Sequence, residues 1–382
     1  MVGEGLGDQL RGWDGFAMVI ELIEPTLAKV PGFVFGSSIG GQREVLAFGN
    51  RQVFGVNSPL PMTAQTVFDL GSITKILSTT AVIMRLLDMR ALSLGDRASK
   101  YLPAWQGTEK ERITVKDLLL HRSGLWEWRP LYIHDWTSSS NAIGLISDIP
   151  LRYPVDAGRH YSDLGFMTLG QIVVEVMGEN LRASFDHLIG TPLQLSHTSF
   201  AAPNPHSSVA ASSFGDSIER EMVISKSPYP VPENAVDFSR WRECVLVGEV
   251  NDGNAFHVFN GVAGHAGLFS TAEDLLAFGE SVNSSFRGEG TYSQDVTQEF
   301  LAKGPDTDQE LGFRSWVSTI EGCSTEFYGH TGFPGTALAF SPSHDCVVVL
   351  MTNRLHVQGI PVATDLLWRP FLESIHQKLH SA

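Results

Sequence analysis

The sequence predicts an α+β fold in which an antiparallel sheet, built from both ends of the chain and flanked by helices, carries an inserted, mainly helical domain. Three observations predict it. Strand-like runs occupy residues 33–48 and again 313–352, with helical periodicity and long polar connections between them. The run Val347-Val348-Val349-Leu350-Met351 is apolar without alternation, as a central strand covered on both faces requires. At 382 residues the chain also exceeds the roughly 250–300 at which single cores stop growing, so two units are expected. The division expected is residues 1–90 with 257–382 as the sheet domain and 91–256 as the helical domain, with the active site in the cleft between them.

The elements follow in order. Residues 15–29 carry helical periodicity through Met18, Val19, Leu22, Ile23 and Leu27, interrupted by Pro25 and ended by Val30-Pro31-Gly32. Residues 33–38 and 44–48 read as strands joined across Gly40-Gly41, a hairpin signal. A short β-type run over 66–70 leads into a long apolar helix that begins near Ser72. Beyond residue 92, helical stretches at 115–121 and 166–177 alternate with polar, Pro-rich connections, of which 207–237 is the loosest. Thr271 caps a helix running to about residue 282, with Asp274 at its third position. Strands are expected over 313–320, 326–329, 336–341 and 346–352, and a final helix over 361–379.

Composition narrows the function. Hydrophobic content of 43 % and charged content of 18 % are ordinary for a folded globular protein. A net charge of −15 with no basic run argues against nucleic acid or anionic membrane as a partner. No apolar run reaches transmembrane length, and the first thirty residues hold acidic side chains instead of a basic start and an apolar stretch. Three cysteines, Cys244, Cys323 and Cys346, are an odd number without metal-type spacing, which suits a reducing compartment. The expected location is therefore cytoplasmic. His376 and His380 stand at i, i+4, and without a third ligand nearby a solvated helix end is the expectation rather than zinc.

Chemistry concentrates in Asp69-Leu70-Gly71-Ser72-Ile73-Thr74-Lys75. Three residues separate Ser72 from Lys75, so on a helix the two side chains share a face. A serine hydroxyl needs a neighbouring base, and the apolar residues after Lys75 supply the burial that tunes an amine. Two further segments accompany it: His160-Tyr161-Ser162-Asp163, leading into an apolar helix, and Gly329-His330-Thr331-Gly332-Phe333-Pro334-Gly335 between two expected strands. Dense glycines there mark a turn and also let a ligand approach backbone N–H groups.

In this order and at these separations the three segments resemble the serine β-lactamase and penicillin-binding-protein superfamily, where S-x-x-K is the nucleophile motif. Tyr-x-Asp as the second motif makes the class C β-lactamase-like branch the better match, a branch that includes DD-peptidases, D-aminopeptidases and family VIII carboxylesterases. The stretches Phe68–Lys75, Leu118–Leu125 and Gly264–Thr271 look like landmarks of the same branch, so the resemblance spans about Val30 to Leu372.

The resemblance implies roles. Ser72 would be the acylated nucleophile, Lys75 would hold and relay its proton, and Tyr161 would act as general base and then acid. The backbone N–H groups of Ser72 and Phe333 would form the oxyanion hole. Asp163, His330, Thr331, Gly332 and His265 would contact substrate. No metal and no cofactor is implied. Asp163 stands where Asn is frequent and, when ionised, pairs readily with Lys75, while His330 stands where a permanent Lys cation is frequent. These departures lean away from β-lactams. The expected function is a serine hydrolase acting through an acyl-serine on an ester or peptide-type amide, a carboxylesterase or peptidase/amidase, with a small-molecule or peptidoglycan-type substrate. A true β-lactamase is the alternative within the class, and a non-catalytic penicillin- or peptidoglycan-fragment-binding protein the alternative outside it. Two side features stay open on the residues alone: His121 as a cationic helix-end residue, and Trp126, Trp128, Tyr132 and Trp136 as either a pinned loop or an apolar substrate wall.

Overall fold

Gly40 and Gly41 both take positive φ, 55° and 78°, the mirror-image two-residue turn whose twist matches its flanking strands. Across it β1 (Gly32–Ile39) pairs with β2 (Gln42–Gln52), from Ile39↔Gln42 back to Gly32↔Gly49. The computed structural model describes residues 26–134, 139–201, 208–320 and 322–380. The helix expected over residues 15–29 lies almost wholly outside them, as does Trp136.

From the first hairpin the chain passes through β3 (Leu60–Pro61) and β4 (Phe68–Asp69) into the segment holding Ser72. Among the described residues the middle of the chain supplies α1 (Ala81–Asp88), α2 (Val115–Leu119), α3 (Ser139–Asp148), α4 (Asp163–Met177) and α5 (Leu181–Phe185). It continues through β5 (Ser199–Phe200), β6 (Ala211–Phe214), α6 (Ser217–Ser225), β7 (Val245–Val247) and α7 (Gly253–His257). The last third contains β8 (Leu268–Ser270), α8 (Ala272–Phe286), α9 (Gln294–Leu301), β9 (Arg314–Ile320), β10 (Cys323–Gly332), β11 (Thr336–Ser341), β12 (Cys346–Thr352) and α10 (Asp365–His380).

The seven-stranded sheet runs β3-β2-β1-β12-β11-β10-β9 with antiparallel pairing throughout, so strands from both ends of the chain meet at β1 and β12. This is the α+β architecture expected, and β12 shows why its apolar run does not alternate. Val347, Val349 and Met351 pack toward α8, whereas Val348 and Leu350 pack toward Trp368, Phe371 and Ile375 of α10. Gly279 lets α8 settle on the sheet, since a Cβ there would lie 2.4 Å from Val347 Cγ1. The buried cluster on the α8 face continues without a break through Val82 and Met84 of α1 to Leu118 of α2 and Phe166 of α4. A small sheet, β4-β8-β5, ties residues 68–69 to both the 199–200 and 268–270 segments.

Three expectations change. The segment after Ser72 is a 3₁₀ turn over Gly71–Ile73 and a wide π-helical stretch over Lys75–Thr80 before α1 begins, not one continuous α-helix. The loose connection expected over 207–237 contains β6 and α6, the latter closed by Lys226 in the left-handed region. The closing helix starts at Asp365, not 361; its last residue, His380, is exposed as expected, with Nε2 3.0 Å from Thr325 Oγ1, whereas His376 one turn earlier is buried with Nδ1 2.8 Å from the same oxygen. Among the described residues no helix is long and apolar enough to cross a membrane.

Candidate active site

The turn carrying Ser72 is held from three sides. Asp69 accepts hydrogen bonds from Gly71 N at 2.8 Å and from Asn251 N at 2.5 Å, so its carboxylate ties the turn to the 251–252 segment. Burial pushes the Asp69 carboxyl up to about 6, against the pull of those two N–H donors. Thr336 Oγ1 donates to Leu70 O at 2.9 Å, and Leu268 N to Thr74 Oγ1 at 3.2 Å. The end of β10 presses close. A Cβ on Gly71 would fall 3.2 Å from Phe333 N and 2.6 Å from Pro334 Cδ.

Lys75 is fully buried, and its ammonium has three acceptors: Ser72 Oγ at 3.0 Å, Asp163 Oδ1 at 2.6 Å and the His265 carbonyl at 3.3 Å. Burial alone would lower the lysine pKa, but the Asp163 carboxylate and the Tyr161 phenol outweigh it and raise it, so the amine is held as a cation. Its charge lies 4.9 Å from the centre of the Tyr161 ring. Burial raises the Tyr161 phenol, opposed by Lys75 and reinforced by Asp163, and its hydroxyl interacts with both Lys75 and Ser72. Asp163 opens α4, whose N-cap Ser162 accepts from Gly165 N at 3.0 Å. A buried ion pair of this kind is worth less as glue than as a device that fixes charge, because desolvation offsets much of its attraction.

A cavity of about 200 Å³ opens beside Ser72. Tyr161, Asp163, Trp128, Tyr229, Met222 and Phe333 form much of its wall, and Glu219, Asn251 and Asp252 also line it. Glu219 accepts from Tyr132 Oη at 2.9 Å and Gly253 N at 2.8 Å. Burial, with the Asp252 charge behind it, pushes the Glu219 carboxyl up to about 8. Asp252 caps α7 and faces His265 Nε2 at 3.0 Å; burial would raise its pKa, but His265 outweighs this and lowers it.

Ser72, Lys75, Tyr161 and Asp163 thus come together at one end of the cavity, with Phe333 on its rim. The other residues singled out from the sequence are placed differently. His330 is buried behind Tyr161 instead of on the cavity wall, with ring centroids 5.8 Å apart and Nδ1 2.7 Å from Thr331 O. Burial, then Lys75 and Arg314, push its pKa well below the usual range, so it supplies no cation near neutrality. Thr331 is half-buried. Gly332 serves close packing rather than ligand approach, since a Cβ would lie 2.2 Å from Leu70 O and from Thr336 Oγ1. The His265 ring is turned to Asp252, and only its carbonyl reaches Lys75. His121 stands at the helix end expected, directly after Leu120, the C-cap of α2, but not as a cation: it is buried, and burial with Lys75 and Arg159 pushes its pKa well below the usual range. Of the aromatic group, Trp128 lines the cavity, Tyr132 is pinned to Glu219, and Trp126 stacks with Arg129 and Arg152.

Sequence reasoning missed Glu219, Met222, Tyr229, Asn251 and Asp252. No spacing relates them to the three motifs; the one available signal was the apolar run Met222-Val223-Ile224 with Tyr229 after it, in a connection read as loose.

Comparison with known proteins gives the family and the fold. A family model described as Beta-lactamase matches residues 19–368. An N-acetylmuramyl-L-alanine amidase of Bacillus subtilis is 30 % identical over 324 residues, 79 % of this chain and 71 % of that protein. A putative D-alanyl-D-alanine carboxypeptidase of Escherichia coli is 27 % identical over 322 residues, 79 % of this chain and 72 % of that protein. The crystal structure of a class C β-lactamase from Rhodobacter sphaeroides superposes with a TM-score of 0.70 at 19 % identity, covering 94 % of this chain and 99 % of that one, a likeness of fold.

Proposed function

The chain belongs to the beta-lactamase family of serine hydrolases, and from that premise we propose that it cleaves an amide or peptide bond through an acyl-Ser72 intermediate. The observation that carries the reading is the pair of contacts at Lys75 Nζ, 3.0 Å to Ser72 Oγ and 2.6 Å to Asp163 Oδ1, with both partners lining a cavity of about 200 Å³. Ser72 is the nucleophile. In the active form the Lys75–Tyr161 pair has lost one proton. With the charge kept on Lys75, Tyr161 is the phenolate that takes the serine proton as the Oγ–carbonyl bond forms, and as a phenol it returns that proton to the leaving amine when the tetrahedral intermediate collapses. Lys75 makes the phenolate less costly. The N–H groups of Ser72 and Phe333, brought alongside each other by the contact of Gly71 with residues 333–334, receive the oxyanion. Water then attacks the acyl-enzyme with the same groups in reverse.

The substrate class follows from the wall of the cavity and from the relatives' names: a small peptide or peptidoglycan fragment whose acyl side lies against Trp128, Met222 and Tyr229. The division into residues 1–90 with 257–382 and residues 91–256 is retained as part of the reading, since Ser72 and Phe333 come from the first and Tyr161, Asp163 and Glu219 from the second. A reducing, cytoplasmic setting is supported by Cys244 and Cys323, both exposed and free.

The test is pre-steady-state hydrolysis of a p-nitrophenyl ester followed by a panel of N-acyl dipeptides. A burst of one equivalent and then steady turnover is expected. One equivalent without turnover would mark a protein that acylates and stops, and no release by a folded protein would contradict the reading.

A further inference from the structure

The residue that presents Tyr161 to the site is His121. Its ring Nδ1 accepts a hydrogen bond from Ser162 N at 2.9 Å, and its carbonyl accepts one from His160 N at 2.8 Å, so one residue grips the backbone on both sides of the tyrosine. Its ring packs on the Tyr161 ring with centroids 4.6 Å apart and on Phe166 at 5.1 Å. Two further contacts thread the same segment along the 121–127 stretch: Ser162 Oγ to Trp126 O at 2.7 Å, and Asp163 N to Glu127 O at 2.8 Å.

His121 also departs from what packing alone asks of a side chain. Its φ is +57°, the left-handed conformation that closes α2, which most side chains avoid and histidine, asparagine and aspartate enter more readily than the rest. Its Nε2 is buried without a hydrogen-bond partner. A leucine or phenylalanine would fill the same space without leaving a polar atom unpaired. What neither provides is an unprotonated ring nitrogen aimed at the Ser162 N–H. Accepting that bond fixes the tautomer: Nδ1 carries the lone pair and Nε2 the proton.

Resting on the acyl-Ser72 reading, we propose that His121 is a positioning residue for the reaction, setting the Tyr161 hydroxyl against Ser72 and Lys75 through its Nδ1 contact with Ser162 N and its ring contact with Tyr161. It touches neither nucleophile nor substrate and acts through Tyr161.

The test compares His121→Gly, His121→Asn, Tyr161→Phe and the double variant His121→Gly/Tyr161→Phe. Glycine removes the ring without strain at positive φ, and asparagine tolerates that φ while offering Oδ1 as an acceptor. In His121→Gly, kcat on the preferred peptide falls on the order of 10²-fold, the scale of a misplaced catalytic group, with KM changed little. His121→Asn recovers most of that loss. In the double variant the second substitution adds almost nothing, because a residue that acts through Tyr161 has no effect once the phenol is gone. Thermal melting of each variant separates these effects from loss of fold, and if His121→Gly does not fold, His121→Ala, which also removes the ring, takes its place in the cycle with Tyr161→Phe. Additive losses, a kcat within two-fold of wild type in His121→Gly, or equal losses in the glycine and asparagine variants of a folded protein overturn the proposal. Ser72→Ala separates it from the reading beneath: retained activity there sinks the acyl-Ser72 mechanism, whereas an inactive Ser72→Ala with a normal His121→Gly sinks only the role of His121.

Discussion

At the scale of single residues, the decisive feature is a carboxylate where the family's second motif often carries an amide. Asp163 holds Lys75 charged and also raises the Tyr161 phenol. Activity requires the Lys75–Tyr161 pair to have lost a proton, and both members are raised, so kcat/KM should climb with pH through the neutral range as one coupled titration. Replacing Asp163 by Asn removes an influence that raises both groups. The rising limb should then move about 1–3 pH units toward acid, the usual size of an adjacent opposite charge, and activity at pH 6 should increase relative to wild type. A pH–rate profile of Asp163→Asn that overlays the wild type would contradict this. Ser72, Lys75, Tyr161 and the Asp163 pairing were legible in the sequence because each belongs to a motif whose spacing is local. The place of His330 and the charge of His121 were misread because sequence shows residue type and not burial: burial takes the His330 ring off the cavity wall and keeps the His121 ring neutral.

At the scale of elements, close approach decides more than propensity. The strands of the main sheet were legible from alternation, from the Gly40-Gly41 turn and from the unbroken apolar run of β12. The stretch after Ser72 was not, because the wide turn over Lys75–Thr80 comes from tertiary contacts such as Thr79 Oγ1 donating to Gly264 O at 2.7 Å, which no helical period records. Two glycines test the packing account. Gly279→Ala drives a Cβ into Val347 and should cost about 1–3 kcal/mol, as overpacking of a filled core does, visible in urea denaturation, with activity of the folded fraction unchanged. Gly332→Ala meets backbone, Leu70 O, and a side chain, Thr336 Oγ1. It should push the end of β10 away from the Ser72 turn and lower kcat as well as stability. A Gly332→Ala enzyme with wild-type kcat would show that the register of β10 against that turn is not what the chemistry depends on.

At the scale of the whole molecule, the site is assembled from segments that lie far apart in the chain, and this is why only part of it was legible. Residues 69–75, 161–163 and 329–335 announce themselves by motif, whereas Glu219 and Met222 of α6, Tyr229 beyond it and Asp252 reach the cavity only because the fold brings these separate segments to it. One carboxyl of the cavity lining, Glu219, has its own pH signature. A carboxyl raised to about 8 in the folded protein binds its proton more tightly there than when unfolded. Glu219 therefore contributes stability at low pH that is lost as pH rises from its unfolded value, near 4.5, through about 8. Glu219→Gln, which cannot ionise, should gain a few degrees in melting temperature relative to wild type between pH 5 and pH 9. An unchanged difference across that range would remove Glu219 from the account of the cavity floor.

The central claim is that Ser72 is an activated nucleophile. Intact mass after incubation with a fluorophosphonate, in which Oγ displaces fluoride from phosphorus, tests it directly. We expect one adduct on the wild type, none on Ser72→Ala, and turnover of the variant lower by on the order of 10⁶-fold, the scale seen when other acyl-transfer enzymes lose their serine. A folded wild type that takes no adduct, or a Ser72→Ala protein labelled as fast as wild type, would contradict it.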